Sequence, residues 1–301
     1  MIRERKPTTD PPASSAGSDR PSRRVVLRRG VGVLASTSLA GCLDPNAPAG
    51  TEPDSIPPLI AHRGCAADAP ENTVAAIRMA APLVDRIELD VRRCATGELV
   101  VFHDPTLDRV TEASGRVDQT PLEKLSTLGV DGSDEPIPTL AAAFDAIPAS
   151  VGVMLDLKTT GLVTESLALH ASHEHDLLVT TDRREILRTA RRVDPSVSTS
   201  YAVRESRPNR LLRPLLPGLS AEVYFPETVA ALVRAATRLG CEVISPRYEL
   251  CLQTDLVRRA HDAGLRVLPW TATTKRELSA VAATDADGVI TDVCRGVADD
   301  T

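Results

Sequence analysis

Aromatic side chains are scarce in this chain, whose 301 residues include one Trp, three Tyr and three Phe. Proteins that bind single-stranded nucleic acid need aromatic platforms for stacking, so the composition excludes that class. Positive charge is also lacking, since the formal net charge is −6. A polyanion requires a basic surface, and no nucleic-acid partner is therefore expected. The apolar share of 42% predicts a globular core of aliphatic side chains, which suits buried parallel strands.

The basic residues that do occur are concentrated near the amino terminus. Residues 1–50 hold eight Lys/Arg against four Asp/Glu, and Arg23-Arg24 precede a short apolar stretch from Val31 to Leu39. This order is typical of a twin-arginine export signal. The stretch is shorter than the roughly 20 apolar residues that span a bilayer.

A cysteine closes this stretch in the sequence Leu39-Ala40-Gly41-Cys42, which resembles the lipobox of exported lipoproteins. We predict that residues 1–42 form a lipoprotein signal, that Cys42 is lipidated, and that the protein is exported and lipid-anchored to the cell membrane. The Pro-rich residues 43–57 would then form an extended tether. The alternative is a cytoplasmic protein in which a basic leader and LAGC occur by chance.

Five cysteines remain once Cys42 is set aside: Cys65, Cys94, Cys241, Cys251 and Cys294. None has the CxxC or Cys/His spacing of a zinc site. Export would permit disulfides, but the sequence specifies no pair. Small buried side chains are the expected role for most of these cysteines.

From residue 58 onward, short β-rich runs alternate with helical patterns, which predicts βαβ units and a parallel sheet. The predicted strands are Leu59–His62, Arg86–Val91, Val151–Leu157, Leu177–Thr181, Val197–Tyr201, Glu242–Pro246, Val267–Thr271 and Gly288–Thr291. The predicted helices are Thr73–Ala81, Leu140–Ile147, Val163–His173, Arg184–Arg192, Glu227–Leu239, Thr254–Ala263 and Lys275–Ala282. Eight strands predict a TIM (β/α)₈ barrel over residues 58–297, with an open doubly wound sheet as the alternative. Residues 104–139 break the alternation and are predicted to be an insertion after the second strand.

Three carboxylates lie on neighbouring predicted strands. Glu88 and Asp90 are two residues apart on the second strand, so their side chains share a face, and Asp156 is on the third strand. Carboxylates that face a barrel interior repel one another unless a cation lies between them. An all-oxygen site favours a hard ion, so we predict one divalent cation here, Mg²⁺ or Ca²⁺. The alternative is a salt bridge to an inward-facing arginine.

Two basic side chains and two histidines surround these carboxylates. Lys158 shares a strand face with Asp156, and Arg63 can bind a phosphate through two parallel hydrogen bonds. His62 ends the first strand and His103 follows the second, and two imidazoles can serve as general acid and general base near neutral pH. Arg63 and Lys158 are therefore candidate phosphate ligands; the alternative for Lys158 is a surface lysine beyond the end of the strand.

A denser group of histidines, His170, His173 and His175, looks more like a metal site at first sight. It lies in the predicted helix before the fourth strand, away from the barrel mouth. We expect these three side chains to be solvated.

Seven short motifs, taken in chain order, resemble the glycerophosphodiester phosphodiesterase family of the phosphatidylinositol-phospholipase-C-like TIM-barrel superfamily. They are His62-Arg63-Gly64, Pro70-Glu71-Asn72-Thr73, Glu88-Leu89-Asp90-Val91, Phe102-His103-Asp104-Pro105, Leu155-Asp156-Leu157-Lys158, Trp270-Thr271 and Asp287-Gly288-Val289-Ile290-Thr291-Asp292. The resemblance implies metal-dependent hydrolysis of glycerophosphodiesters to glycerol phosphate and an alcohol, with His62 and His103 as the catalytic pair. The attacking hydroxyl then comes from the substrate's glycerol, which gives a cyclic phosphate first, or from water.

Two further residues receive roles as substrate ligands from this resemblance. Glu71 either contacts the substrate glycerol or supports the start of the helix beside His62. Trp270, the one tryptophan, either packs against the glycerol or alcohol group or has a plain rim or core role.

The chain departs from the family pattern at three places. Asp156 stands where the family has Glu, and the shorter side chain requires the ion or the strand to shift to restore a bond of about 2.0–2.6 Å. The family's Trp-Thr-Val-Asn is Trp270-Thr271-Ala272-Thr273 here, without the amide. Cys65 directly after His62-Arg63-Gly64 is an oxidisable neighbour of the site. The metal and the leaving alcohol therefore stay open, and nothing in the sequence specifies an oligomeric state.

Two other functions compete with a glycerophosphodiesterase. A phospholipase-D-like enzyme would act on intact membrane lipids, and the low aromatic content speaks against the larger apolar rim it would need. A non-catalytic surface lipoprotein would bind phosphorylated polyols. The presence of both histidines with all three carboxylates argues against such a binder, which needs no acid–base pair.

Overall fold

A computed structural model describes residues 57–204, 225 and 227–295 of the chain. The strands in these residues are β1 Leu59–Ala61, β2 Arg86–Arg93, β3 Leu99–Val101, β4 Gly152–Leu157, β5 Leu177–Thr181, β6 Ser198–Ala202, β7 Val243–Ser245, β8 Arg266–Val267 and β9 Val289–Thr291. The α-helices are α1 Val74–Ala80, α2 Leu122–Leu125, α3 Leu140–Ala146, α4 Val163–His170, α5 Arg184–Val193, α6 Val229–Leu239, α7 Tyr248–Gln253, α8 Leu256–Asp262 and α9 Lys275–Ala282. Short 3₁₀ helices occur at His62–Gly64 and Val117–Gln119.

Eight parallel strands follow one another in the order β8-β7-β6-β5-β4-β2-β1-β9. Residues after β8 return to β9, since Ala272 forms a parallel bridge with Thr291 and its N–H donates to the Ile290 carbonyl at 3.0 Å. The predicted TIM barrel is confirmed, and the open doubly wound sheet is excluded. Each of the eight predicted strands except β8 lies within three residues of its predicted ends, and β3 was not predicted.

The predicted eighth strand, Val267–Thr271, is the one that differs most from the structure, where β8 ends at Val267. Pro246 and Pro269 lack amide hydrogens and so interrupt the ladder on either side. Isolated bridges continue the pairing beyond that point, including one between Arg247 and Trp270. The prediction of the strand's direction and place is correct, whereas its length is wrong.

Two helix boundaries and one additional helix also correct the predictions. The helix predicted to end at His173 ends at His170. The segment predicted as one helix from Thr254 begins at Leu256, and α7 precedes it, because the Thr254 hydroxyl accepts a hydrogen bond from the Leu256 N–H in the manner of a turn.

The strands bury both faces, as parallel strands in a barrel do. On β2, Ile87, Leu89 and Val91 are fully buried against the surrounding helices. The alternate residues point inward, where an apolar layer lies below the carboxylates. It consists of Ile60, Met154, Leu178, Val243, Leu268 and Ile290. The charged residues of β2 and β4 are thereby confined to the carboxyl end of the barrel, where TIM-barrel active sites lie.

Residues 99–139 extend from the barrel beside its mouth. β3 pairs antiparallel with the end of β2, with Val101 opposite Val91. Residues of this stretch form an apolar cluster together with Cys94: Val100, Phe102, Leu107, Val110, Val117, Leu125, Val130 and Ile137. This stretch contains the predicted insertion, and its polar side chains reach the site described below.

The predicted export signal, the predicted lipidation site Cys42 and nearly all of the predicted tether lie outside the described residues. Among the helices of residues 57–204 and 227–295, none has both the length and the apolar character needed to cross a membrane.

Candidate active site

Parallel strand register brings the three predicted carboxylates together. Asp90 of β2 pairs directly with Asp156 of β4, and Glu88 lies two residues earlier on the same face. All three residues are buried, and one oxygen from each lies within 4.8 Å of one oxygen from each of the others. Burial, and then the neighbouring charge of Asp90, raises the pKa of Glu88 to about 7. The three carboxylates therefore repel one another when all are ionised, and a bound cation would relieve that repulsion.

The predicted basic residues lie against this cluster. Lys158 is buried, with its Nζ 2.5 Å from Asp156 Oδ2 and in contact with Asp90 Oδ1. Arg63 lies with its Nε 3.3 Å from Asp90 Oδ2. Burial raises the pKa of Asp90, but Lys158, His103 and Arg63 outweigh burial and hold that pKa well below its usual range. Sequence reasoning placed both basic residues correctly beside the carboxylates.

The carboxylates fit a hard divalent cation. Asp156 Oδ1 is buried and accepts no hydrogen bond from the part of the chain that the structure describes. A buried oxygen of this kind is costly unless a further partner satisfies it. The three ligand residues offer oxygen atoms alone, which suits Mg²⁺ or Ca²⁺. The alternative to a cation was a salt bridge to an inward-facing arginine. Arg63 and Lys158 do form salt bridges with Asp90, yet they leave Asp156 Oδ1 unsatisfied.

Both predicted histidines bond a carboxylate through Nδ1. His62 Nδ1 lies 2.6 Å from Asp292 Oδ1, and His103 Nδ1 lies 2.6 Å from Asp104 Oδ1. Such a bond orients the ring and leaves Nε2 for proton transfer. Sequence reasoning missed the role of both carboxylates. Closure of the barrel was a usable signal, because it makes the end of the last strand the neighbour of the first.

The two imidazoles have opposite electrostatic environments. Burial lowers the pKa of His62, but the bond to Asp292 and the charge of Glu88 outweigh burial and raise it above its ordinary value. Burial also lowers the pKa of His103, and Lys158 and Arg63 reinforce that effect against Asp90, so the pKa falls to about 4. At neutral pH, His103 is therefore a neutral base and His62 is the better proton donor.

A chain of ion pairs connects His103 to Arg63. The Asp104 carboxylate contacts Arg109, whose Nη1 and Nη2 donate to Glu71 at 2.9 and 2.6 Å. Glu71 in turn accepts from Arg63 Nη1 at 3.0 Å. Burial raises the pKa of Glu71, but the two arginines outweigh it and lower that pKa. Arg109 comes from the stretch 99–139 and was missed by sequence reasoning, which has no local signal for a long side chain reaching across a barrel mouth.

Two further arginines border the site around Trp270. Trp270 Nε1 donates to the Ser245 carbonyl at 2.9 Å. The guanidinium carbons of Arg204 and Arg247 lie 6.0 and 5.3 Å from its ring centre. Arg204 Nη2 also donates to Asp156 Oδ2 at 2.8 Å. Trp270 is half-buried at the mouth, and Arg204 is an additional basic residue that sequence reasoning missed.

The loop that carries His62 and Arg63 has an unusual backbone. Arg63, Gly64 and Cys65 have φ values of 53°, 77° and 68°. Each non-glycine residue in such a conformation costs of the order of 1–3 kcal/mol and is found where function requires it. A Cβ on Gly64 would lie 2.8 Å from the Ala76 Cβ, so only glycine fits there. The Thr73 side chain, which accepts from the Ala76 N–H, starts α1 beside this loop.

The histidine group outside the site corrects a prediction. His175 is buried, and its Nε2 lies 3.0 Å from the Ile147 carbonyl oxygen. The rings of His170, His173 and His175 pack around Phe144. All three were expected to be solvated; this is wrong for His175, which is buried, whereas His170 and His173 are partly exposed beside the Phe144 ring. They lie before β5, at the end of the barrel opposite the carboxylates.

The cysteines divide into one pair and three free thiols within the described residues. Cys65 and Cys294 form a disulfide. Cys94, Cys241 and Cys251 are buried and free, as predicted for most of the cysteines. The sequence specified no pair, because these two partners lie 229 residues apart.

Residues 62–295 match the family model described as the glycerophosphoryl diester phosphodiesterase family. A glycerophosphodiester phosphodiesterase of Caldanaerobacter subterraneus is 29% identical over 241 residues, which cover 78% of this chain and 93% of that protein. The human glycerophosphodiester phosphodiesterase 1 is 38% identical over 109 residues, which cover 33% of each chain.

Solved structures share the fold. An Agrobacterium tumefaciens structure described as a glycerophosphoryl diester phosphodiesterase superposes with a TM-score of 0.69 at 18% identity, covering 81% of this chain and 97% of that one. An Oleispira antarctica phosphodiesterase in complex with the product sn-glycerol-3-phosphate superposes with a TM-score of 0.65 at 26% identity, covering 81% and 96%.

Proposed function

The chain belongs to the glycerophosphoryl diester phosphodiesterase family and is a phosphoric diester hydrolase, and we propose that it uses one divalent cation and two histidines. Its substrates are glycerophosphodiesters, and its products are glycerol phosphate and an alcohol. The relative from Oleispira antarctica, with its bound sn-glycerol-3-phosphate, supports this substrate class. One observation carries the proposal: two imidazoles, each oriented by a carboxylate, stand beside three buried carboxylates.

Glu88, Asp90 and Asp156 would hold the cation, because they alone offer three converging carboxylate oxygens in the described residues. When bound, a divalent cation there offsets phosphate charge and acts as a Lewis acid on a phosphoryl oxygen. Arg63 and Lys158 donate hydrogen bonds to the phosphate, whose charge grows on its equatorial oxygens in the transition state. Trp270 and Glu71 line the same mouth and are proposed to contact the glycerol or the leaving alcohol.

The two histidines divide the proton transfers. His103 Nε2 takes the proton from the attacking hydroxyl as its oxygen bonds to phosphorus, and His62 Nε2 gives a proton to the departing alkoxide as its bond to phosphorus breaks. The attacking oxygen belongs either to water or to a hydroxyl of the substrate's own glycerol. In the second case, the same histidines exchange roles when water opens the cyclic phosphate.

The proposal is tested by following phosphate-ester hydrolysis with the purified chain. We expect glycerophosphocholine and glycerophosphoethanolamine to release glycerol phosphate with Mg²⁺ or Ca²⁺ and not with a chelator. His62→Ala is expected to lower kcat by about 100- to 10,000-fold, the usual range for a general acid. Faster turnover of intact phospholipid would favour the phospholipase-D-like alternative, and tight binding of glycerol phosphate without turnover would favour a binding protein.

We also propose that residues 1–42 direct export and that Cys42 is lipidated. The disulfide between Cys65 and Cys294 supports this, since such bonds persist mainly in oxidising compartments. In cell fractionation we expect the wild-type chain with the membrane and the Cys42→Ala variant in the soluble extracytoplasmic fraction, because it lacks the lipid. Cys94→Ala, which removes a buried thiol, is the matched control and should stay with the membrane. Membrane retention of Cys42→Ala would contradict lipidation at this residue.

A further inference from the structure

The Cys65–Cys294 disulfide lies next to the catalytic His62. Cys65 follows His62 by three residues, and Cys294 follows its partner Asp292 by two. The Cα atoms of the two cysteines are 5.9 Å apart, and both residues are fully buried. The bond thus joins the two chain segments that must meet for the His62–Asp292 contact to form.

Hydrogen bonds join the same two segments. The Ala67 N–H donates to the Asp292 carbonyl at 3.0 Å. The Asp68 Oδ2 accepts from the N–H groups of Cys294 and Arg295 at 2.7 and 3.0 Å. These hydrogen bonds lie at the barrel mouth, where the segment after β9 begins. Unlike them, the Cys65–Cys294 disulfide is covalent and is not broken by thermal motion.

The loop that carries His62, Arg63 and Cys65 needs support from the disulfide. Arg63 and Cys65 both have left-handed backbone conformations, which L-residues leave readily unless the surroundings hold them. Cys65 is held by its sulfur at the end of this strained turn. If this loop relaxed toward ordinary φ values, we expect the His62 ring to turn away from Asp292, while the ladder still pairs Ala61 of β1 with Thr291 of β9.

We propose that the Cys65–Cys294 disulfide is a positioning element for His62, which keeps the imidazole against Asp292 and in place for proton transfer. The inference depends on the proposed function, because His62 matters only if it transfers a proton. Phosphate binding should be affected less. Arg63 belongs to the same loop, but Glu88, Glu71 and Asp90 hold it independently through its N–H, Nη1 and Nε.

A purely structural cross-link makes a different prediction. A disulfide that closes a long loop stabilises the fold mainly by restricting the unfolded chain. Its removal would then lower the unfolding midpoint and leave kcat unchanged at temperatures where the protein is folded. The effect on kcat, measured well below that midpoint, separates the two roles.

The test compares wild type, C65A/C294A, D292N and the triple variant. For C65A/C294A we expect kcat to fall by about 10- to 100-fold, as displaced catalytic groups do, with KM nearly unchanged. Because the cross-link acts through the His62–Asp292 contact, the triple variant should be little worse than D292N. Wild type unfolded and refolded in the presence of a reductant, which reaches the buried sulfurs only in the unfolded chain, should show the same loss, and reoxidation should restore kcat, while C65A/C294A should not respond to either treatment.

An NMR titration of His62 supplies a readout that needs no substrate. Its imidazole faces Asp292, Glu88 and Arg63, and loss of the Asp292 contact should lower its pKa in C65A/C294A as in D292N. Unchanged kcat and His62 titration in a less stable C65A/C294A would overturn the proposal, as would multiplicative losses in the triple variant. Absence of turnover by wild type would count against the proposed function alone, since the titration still reads the contact. If C65A/C294A does not fold, the reduction and reoxidation of wild type decides the question.

Discussion

Replacing His103 with alanine is expected to lower kcat by about 100- to 10,000-fold, the contribution usual for a general base. The Nδ1 of His103 is anchored to Asp104, and its low pKa keeps it neutral, so it is ready to accept a proton at Nε2. KM should change little, because Arg63 and Lys158 provide the charges that hold the phosphate. Kinetics at saturating and limiting substrate separate the two parameters.

The pH profile distinguishes a lost base from a damaged fold. His103 must be neutral to act as a base, so wild-type kcat/KM is expected to rise as the pH rises through about 4. The charged groups that face His103 are Asp104, Asp90, Lys158 and Arg63. His62 must be protonated, so kcat/KM falls again as pH rises through its raised pKa. Both pKa values refer to the site without a cation, and the positive charge of a bound cation moves both limbs of the profile toward lower pH. We expect His103→Ala to lose the acid limb and keep the alkaline one.

His261→Ala is the matched control for this substitution. His261 is an exposed helical histidine whose Nε2 lies 2.9 Å from Asp287 Oδ2, and it has no role in the proposed reaction. Its replacement should leave kcat and both limbs of the profile unchanged. A His103→Ala variant that kept the acid limb, or lost less than about threefold in kcat, would remove His103 from the role of base.

The fold and the central charges were predictable because they depend on short-range periodicity. Apolar runs bounded by turns locate the strands, and a period of two places Glu88 and Asp90 on one face. The carboxyl ends of parallel strands then meet at one mouth, so Asp156 and Lys158 follow. Each of these steps needs only neighbouring residues and the general geometry of a barrel.

What was not predictable depends on contacts between distant segments. The Cys65–Cys294 bond, the His62–Asp292 contact and the reach of Arg109 to Glu71 each require knowing how loops from different strands face one another. The burial of His175 is of the same kind, since it depends on Phe144 from another helix. Closure of the barrel was a usable signal for the His62–Asp292 contact, because it pairs the first strand with the last, but sequence patterns near the other residues carry no signal of their partners.

Among substitutions of a single carboxylate, we expect the largest effect where cation binding is lost. Glu88→Gln tests this loss most cleanly. Glutamine keeps an oxygen that can accept the Arg63 N–H, which Glu88 Oε2 accepts at 2.9 Å. It removes one of three mutually repelling charges, so the fold should tolerate it without a cation. The loss of Lewis-acid stabilisation, worth several kcal/mol, predicts a kcat lower by roughly a thousandfold or more.

Thermal unfolding measures the binding itself, without turnover. A cation at about 100 times its dissociation constant stabilises the wild-type fold by about 2.7 kcal/mol, and each kcal/mol raises the unfolding midpoint of a domain this size by about 2–4 °C. We expect this shift with Mg²⁺ or Ca²⁺ in wild type and none in Glu88→Gln. Glu71→Gln is the matched control, because Glu71 is also a buried glutamate at the barrel mouth. Glu71 is paired with Arg63 and Arg109 and does not belong to the carboxylate cluster. A full shift in Glu88→Gln would mean that the cation binds elsewhere, and the three buried carboxylates would then have to be explained by Lys158 and the surrounding arginines alone.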